Sequence, residues 1–417
     1  MNMKVLVSAY GCEPGKGSDP GVGWNWAKQI GRFHEVWVIT RANNKDVIEA
    51  ELAKNPQPNL HFAYVDLPKW MRFWKRGEIG IRIYYFIWQI LAYFKGKKLH
   101  KRIHFDIVHH LTFPVDWLPA FISFVPAPFV WGPVGGSLKT LPIKFFREFG
   151  LKNSLFEILR FLFMQFSLKV DPLLKITRKK AKIILVSTVW DKKNFPQKYQ
   201  GKIRVISRIG ITKGEVENLS SLNFKKKEDK FIIFTTGRLV HWKGHTFSLK
   251  AFYKFQKKYP NTVFYIGGKG PELKKLKKLT KNMELKDKVK FLGHLPTRGD
   301  VLKKMAECDV FILPTLRDGP LVTFLEVMSL GKPIICANIP GQRDIVIEGC
   351  GMKVEAGSPE QMVKDIAHAL LKLAQNENLR IEMGKLAKEH VKKIFDWNLK
   401  GEFIKKIYEE IKEGKID

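Results

Sequence analysis

Two carboxylates, Asp318 and Glu326, stand eight residues apart in the stretch LRDGPLVTFLEVM, residues 316–328. A Gly-Pro turn follows Asp318, and an apolar run of helical character then carries Glu326. At a helical rise of 1.5 Å per residue the two acids are separated by up to about 12 Å. That is too far to share one proton or one bond, and it suits gripping two ends of one ligand. Carboxylates accept paired hydrogen bonds from vicinal hydroxyls, so one acid would hold a sugar ring and the other a ribose. The plain alternative is a helix cap at Asp318 and a solvated charge at Glu326. The apolar neighbours on both sides of Glu326 make a solvated position unnatural. The turn also leaves backbone amides at Gly319, Pro320, Leu321, Val322 and Thr323 near a helix N-terminus, Pro320 lacking an N–H. Such free amides form a cradle for a diphosphate.

Three further stretches place chemistry at strand ends. GRLVHWKG, 237–244, follows an apolar strand and carries Arg238 and Lys243, a forked cation and a point charge suited to phosphate oxygens. YIGGKGPE, 265–272, ends a strand in Gly267, Gly268 and Gly270, where a ligand approaches backbone closely. FLGHLP, 291–296, sets His294 or Leu295 against a nucleotide base.

The elements that must position these loops alternate along the chain. KVLVSAY, EVWVIT, LHFAYVD, DIVHHL, FVWGP, KIILVS and KIRVIS read as short buried strands within residues 4–207. FIIFTTGRL, TVFYIGG, KVKFLG, VFILPT, PIICAN and GMKVEA form a second set within 231–356. Helical stretches fill the gaps. Alternation of this kind predicts parallel sheets covered by helices, hence an α/β fold of two doubly wound Rossmann-like halves facing across a cleft. The polar stretch 212–230, without a periodic apolar face, reads as the linker. The predicted division is 1–211 with 396–417 crossing back to it, and 231–395.

The chain has 417 residues, 45% hydrophobic content and a net charge of +33. This length favours two domains over one core. Four scattered cysteines without a CxxC pair argue against a disulfide framework or a zinc site, and fit a reducing compartment. The first apolar stretch is too short for a signal peptide and reads as a strand. The charge is concentrated. Residues 69–105 hold ten Lys/Arg and one acid among ten Trp, Tyr and Phe residues. Residues 139–182 hold eleven Lys/Arg and three acids around LFEILRFLFMQF. Cations mixed with large rings suit the surface of an anionic membrane, and no run reaches the 20 or so residues of a spanning helix. Nucleic acid is the weaker reading, since the rings cluster and no such motif is present.

GRLVHWKG, YIGGKG, FLGHLP and LRDGPLVTFLEVMSLGKPII, in this order and in this strand context, resemble the retaining nucleotide-sugar glycosyltransferases of group 1 (family four), which have the GT-B fold. The resemblance covers about residues 231–356. It implies that Arg238 and Lys243 hold a diphosphate, that Glu326 binds the ribose, and that Asp318 contacts the donor sugar. The family pattern is Glu-x7-Glu, and Asp318 stands at its first position with a shorter reach. In the first half, YGCEPGKGSDPGVGWNWA, 10–27, is similar to the family's N-terminal glycine loop, with Gly15, Gly17, Gly21 and Gly23 as loop residues and Trp24 beside the acceptor. A dinucleotide cofactor is disfavoured there, because the second strand ends in Arg41 and not in an acid. The resemblance puts a histidine, His109 or His110, against the donor sugar, and WGPVGGSLKT offers Gly135 and Gly136 to close on the acceptor. It implies no cofactor and no metal. Together with the cysteines and the basic aromatic stretches, this reads as a cytoplasmic enzyme, peripheral on the inner face of the cell membrane, acting on a glycan or lipid-linked acceptor. Another GT-B enzyme, either an epimerase or an inverting transferase, and a non-catalytic sugar-nucleotide-binding membrane protein are the alternatives.

Overall fold

The computed structural model describes residues 2–72, 80–113, 115–136, 139–221 and 229–415. The chain divides into two compact units. The first comprises Met1–Gly135, Met164–Gly210 and Trp397–Asp417, and the second Gly136–Phe163 and Ile211–Asp396.

The first unit is built on seven parallel strands: β1 (Lys4–Ser8), β2 (Glu35–Arg41), β3 (Leu60–Val65), β4 (Ile107–His110), β5 (Phe129–Val134), β6 (Ala181–Val186) and β7 (Ile203–Val205). Their order is β3-β2-β1-β4-β5-β6-β7. β1 and β4 are buried throughout or nearly so because helices cover both faces of the sheet. Leu6 of β1 pairs with Trp37 of β2 on one side and Val108 of β4 on the other. The second unit has six parallel strands: β8 (Phe231–Thr236), β9 (Thr262–Gly267), β10 (Val289–Gly293), β11 (Val310–Leu313), β12 (Ile334–Ala337) and β13 (Gly351–Val354), in the order β10-β9-β8-β11-β12-β13. Chain order reverses between β1 and β4 and between β8 and β11. Loops at the carboxyl ends of such strand pairs diverge and leave a crevice for ligand. The two cysteines of β11 and β12's neighbourhood, Cys308 and Cys336, are free and buried, as are Cys12 and Cys350.

Three expectations change. The helix Lys213–Ser221 occupies half of the stretch read as linker; residues 222–228 lie outside the described residues. Val216 and Leu219 are buried one turn apart, too few apolar residues to show a period. A signal was nevertheless present in Thr212-x-x-Glu215. The Thr212 hydroxyl accepts from the Glu215 amide at 3.1 Å, while the Glu215 carboxylate accepts from the Thr212 amide at 3.0 Å. Second, residues 136–163 cluster with the second unit, not with the first half.

The third concerns the basic aromatic stretch 69–105. Its helix Ile81–Ile103 turns Tyr84, Tyr85 and Trp88 into the core of the first unit, each no more than 2% exposed. Residues 73–79 lie outside the described residues. Among the described residues no helix is long and apolar enough to cross a membrane.

Candidate functional site

The site of the second unit is assembled by loops that lock backbone to backbone. After β8 the chain turns at Gly237, whose carbonyl lies where a Cβ on Gly268 would sit, at 1.9 Å. Gly268 has φ +121°, a region that favours glycine. The Leu239 amide donates to the Lys269 carbonyl at 2.9 Å, and the Glu272 amide donates to the Leu239 carbonyl at 3.0 Å. The turn His241–Lys243 is in turn stitched to the segment after β11. The Leu316 amide donates to the Trp242 carbonyl at 2.8 Å, and a Cβ on Gly244 would meet the Pro314 carbonyl at 2.3 Å. The Gly268 amide donates to the Gly293 carbonyl at 2.6 Å, so the four motifs quoted above are joined at the carboxyl ends of β8, β9, β10 and β11.

Asp318 and Glu326 occupy different settings. Asp318 does not cap the helix Val322–Ser329, whose first turn starts at Leu321 without a side-chain cap. Its carboxylate is 2.9 Å from Lys243 Nζ and accepts from the Thr315 hydroxyl at 2.6 Å. Burial alone would raise its pKa. Lys243, Thr315 and Arg317 outweigh that and bring it down to about 2, so the group is a carboxylate at neutral pH. Glu326 is 7% exposed on its helix, and Arg298 Nε donates to it at 2.8 Å. Burial pushes its pKa up, and Arg298 opposes the rise. A solvated helix position is therefore excluded for Glu326.

Arg298 escaped the sequence reading. It opens the helix Arg298–Glu307 behind a Thr297–Asp300 capping box, and it also lies 3.5 Å from Glu215. The T-x-x-D spacing marks the helix start, but nothing local ties Arg298 to a glutamate 28 residues away. His294 is exposed and Leu295 half-buried in the loop just before this helix. Arg238 is exposed, with its guanidinium 5.8 Å from the Trp242 ring centre.

Glu157 was also missed. It is 1% exposed and joins three groups: Arg317 at 2.5 Å, Arg160 at 2.8 Å and His241 at 3.0 Å. Burial opposes its charge, yet His241, Arg317 and Arg160 hold its pKa down to about 2. Arg317 also lies 3.5 Å over the Trp242 ring. The residues flanking Asp318 and Lys243 are therefore anchored on a helix that the sequence assigned elsewhere. Gly136 belongs here too. A Cβ on Gly319 would lie 2.9 Å from the Gly136 carbonyl carbon, and one on Gly341 would lie 2.7 Å from its oxygen. Gly136 packs beside the Asp318 turn, whereas Gly135 packs on Asp191.

In the first unit the structure separates the two histidines. His109 is fully used: its Nε2 lies 2.7 Å from the Gly132 carbonyl, to which it donates, and Nδ1 accepts from the Tyr408 hydroxyl at 2.6 Å. Burial lowers its pKa to about 3, so it is a neutral core residue. His110 contacts Tyr85 Oη at 2.9 Å through Nε2, while its Nδ1 has no partner. It too is kept neutral by burial, with a pKa of about 4. Of the pair, His110 is the one whose buried ring keeps a nitrogen without a hydrogen-bond partner.

Gly21 and Gly23 are not loop residues. The helix Ser18–Gly31 begins before them, and they let it pack under its own preceding loop. A Cβ on Gly21 would sit 1.8 Å from the Lys16 carbonyl, and one on Gly23 would sit 2.0 Å from the Gly11 carbonyl. Gly23→Ala is expected to cost about 1–3 kcal/mol through overpacking, read as a fall in the denaturation midpoint. Trp24 is 5% exposed and stacks on Phe62 with ring centres 5.9 Å apart, which makes it core and not an open acceptor surface.

Residues 220–390 match the family described as "Glycosyl transferases group 1". An uncharacterized glycosyltransferase of Methanocaldococcus jannaschii is 30% identical over 247 residues, covering 58% of this chain and 59% of the relative. The chain thus spans about three fifths of that relative's length. A GDP-mannose-dependent monoacylated alpha-(1-6)-phosphatidylinositol monomannoside mannosyltransferase of Corynebacterium glutamicum is 28% identical over 178 residues, covering 41% of this chain and 45% of the relative. Among solved structures, Anabaena HepE in complex with UDP and glucose matches with a TM-score of 0.62 at 16% identity, covering 98% of this chain and 100% of that one. Over residues 220–390 this chain matches the group 1 glycosyltransferase family, and over nearly its whole length it has the GT-B fold of two doubly wound parallel sheets.

Proposed function

We propose that the protein is a retaining glycosyltransferase that moves a sugar from a nucleoside-diphosphate sugar to a membrane-held glycan acceptor. The observation that carries this is the joining of four strand-end loops, with Glu326 buried beside Arg298 and Asp318 ionised beside Lys243. Glu326 holds the ribose. Asp318 faces the sugar, and Lys243, Arg238 and the amides at 321–323 support the leaving diphosphate. That support is strongest where water is excluded and donors are fixed beforehand. In the retaining mechanism the resemblance implies, the donor phosphate takes the acceptor proton, so no enzymic nucleophile is needed. The mechanism that the resemblance implies also calls for no metal. The lipid acceptor of the Corynebacterium relative and the basic, apolar surface described below support an acceptor at the inner membrane face.

A panel of UDP-, GDP-, ADP- and dTDP-sugars read by thermal shift and donor hydrolysis tests the reading. One donor should protect the protein and be turned over, and the product anomer should match the donor. Binding without turnover would leave a sugar-nucleotide-binding protein, and anomeric inversion would point to an inverting transferase.

A further inference from the structure

The helix Leu151–Val170 has its polarity reversed. The side facing the protein carries Ser154, Glu157, Arg160 and Ser167, with Met164 the one large apolar residue buried there, all 8% exposed or less. The side facing out carries Leu151, Leu155, Phe156, Leu159, Leu162 and Phe166, each 47% to 93% exposed. Apart from the adjacent Leu155 and Phe156, these positions recur every three or four residues, so they form one stripe along the helix. A soluble helix places its leucines inward, and contiguous exposed apolar surface of this kind marks a binding face.

The charge around the stripe identifies what covers it. Lys144, Arg147, Lys152, Lys169, Lys175, Lys179 and Lys180 are exposed within or beside the helix in sequence. The three acids of residues 144–180 are all engaged by the protein. Glu148 meets Lys250 at 2.6 Å, Glu157 is buried, and Asp171 accepts from the Leu173 amide at 2.8 Å as a helix cap. An apolar stripe whose exposed charged neighbours in sequence are all cations is complementary to an anionic lipid bilayer, where the rings and leucines enter the acyl boundary and the lysines meet headgroups.

We infer that this helix is the membrane-insertion element of the protein, held by its apolar stripe and not by charge alone. The inference deepens the membrane-held acceptor of the proposed function and rests on it for its purpose. The inserted helix keeps its polar side on the donor loops through Glu157, which places the sugar-transfer site at the bilayer surface.

The test is flotation with phosphatidylcholine vesicles containing about one third phosphatidylglycerol, at low salt and at about 1 M NaCl. The wild-type protein should float in both, with a salt-resistant fraction that charge alone does not give. The triple variant Leu155→Ser/Phe156→Ser/Leu159→Ser alters only exposed side chains and should lose that fraction by about tenfold or more. A tryptophan placed by Leu159→Trp should shift its emission to shorter wavelength on adding vesicles. Unchanged flotation of the triple variant overturns the inference. So does a dimer that the triple variant converts to monomer without any vesicle binding, which would make the stripe a self-association face. Thermal protection by UDP or GDP should be the same in the wild-type and triple variants. Lost flotation with retained protection is therefore separable from failure of the donor site.

Discussion

Glu326→Ala is expected to abolish thermal protection by the donor and to weaken its binding by about a hundredfold, while the protein itself stays folded. A carboxylate gripping two ribose hydroxyls makes charge-assisted hydrogen bonds of about 1.5–3 kcal/mol each, and the variant loses both. The effect on the fold is small for a physical reason. Glu326 is a buried acid whose ionisation burial already disfavours. Its partner Arg298 is 42% exposed in its side chain and keeps Glu215 within 3.5 Å. Glu326→Gln should keep the shape but lose most of the affinity. The pH dependence follows from the same burial. A carboxyl with a raised pKa takes up its proton earlier on acidification than an ordinary glutamate, so donor affinity should decline at a higher pH than the usual carboxylate range. A donor titration across mildly acidic pH reads this directly. Equal protection of wild type and Glu326→Ala would remove the ribose role.

The second large effect is expected at Glu157, where Glu157→Ala should destabilise the second unit by about 3–5 kcal/mol, the scale for breaking a buried ion pair from one side. Arg160 and Arg317 would be left without their carboxylate, with Arg160 almost wholly inside the protein. Chemical denaturation gives the stability loss, and donor affinity should fall with it because Arg317 precedes Asp318. The pH sign is opposite to that of Glu326. Glu157 has a depressed pKa of about 2, so its contribution is fully present above the ordinary glutamate value near 4.3. It is lost as pH falls from there through about 2. The wild-type protein should lose stability over that window, and Glu157→Gln should show a flatter profile.

Much of the fold could be read along the chain. All thirteen strands coincide with short apolar runs, because a parallel sheet covered on both faces demands side chains that are apolar on both sides. The donor loops were legible for a related reason. Glycines at 237, 244 and 268 sit at φ +148°, +79° and +121°, a local backbone demand that leaves a local mark. Even Glu326 showed its burial through apolar neighbours on a helix.

What the sequence could not give was the partner of each charged group. Glu157 and Arg317 are 160 residues apart, and Glu326 and Arg298 are 28 apart. An ion pair leaves no periodicity, so neither could be paired from spacing. The same holds for His109 and His110, adjacent in a strand and facing opposite ways, one bound by Tyr408 299 residues distant and the other left with an unpartnered nitrogen. Gly21 and Gly23 looked like loop because glycine serves flexibility and close packing alike, and only the Lys16 and Gly11 carbonyls tell the two apart. The helix at 151–170 shows the limit most clearly. Its sequence determined that one side is apolar and the other polar. Only the tertiary structure decided that the polar side turns inward, because a buried carboxylate holding two arginines and a histidine fixes the helix by that side and leaves the leucines outside.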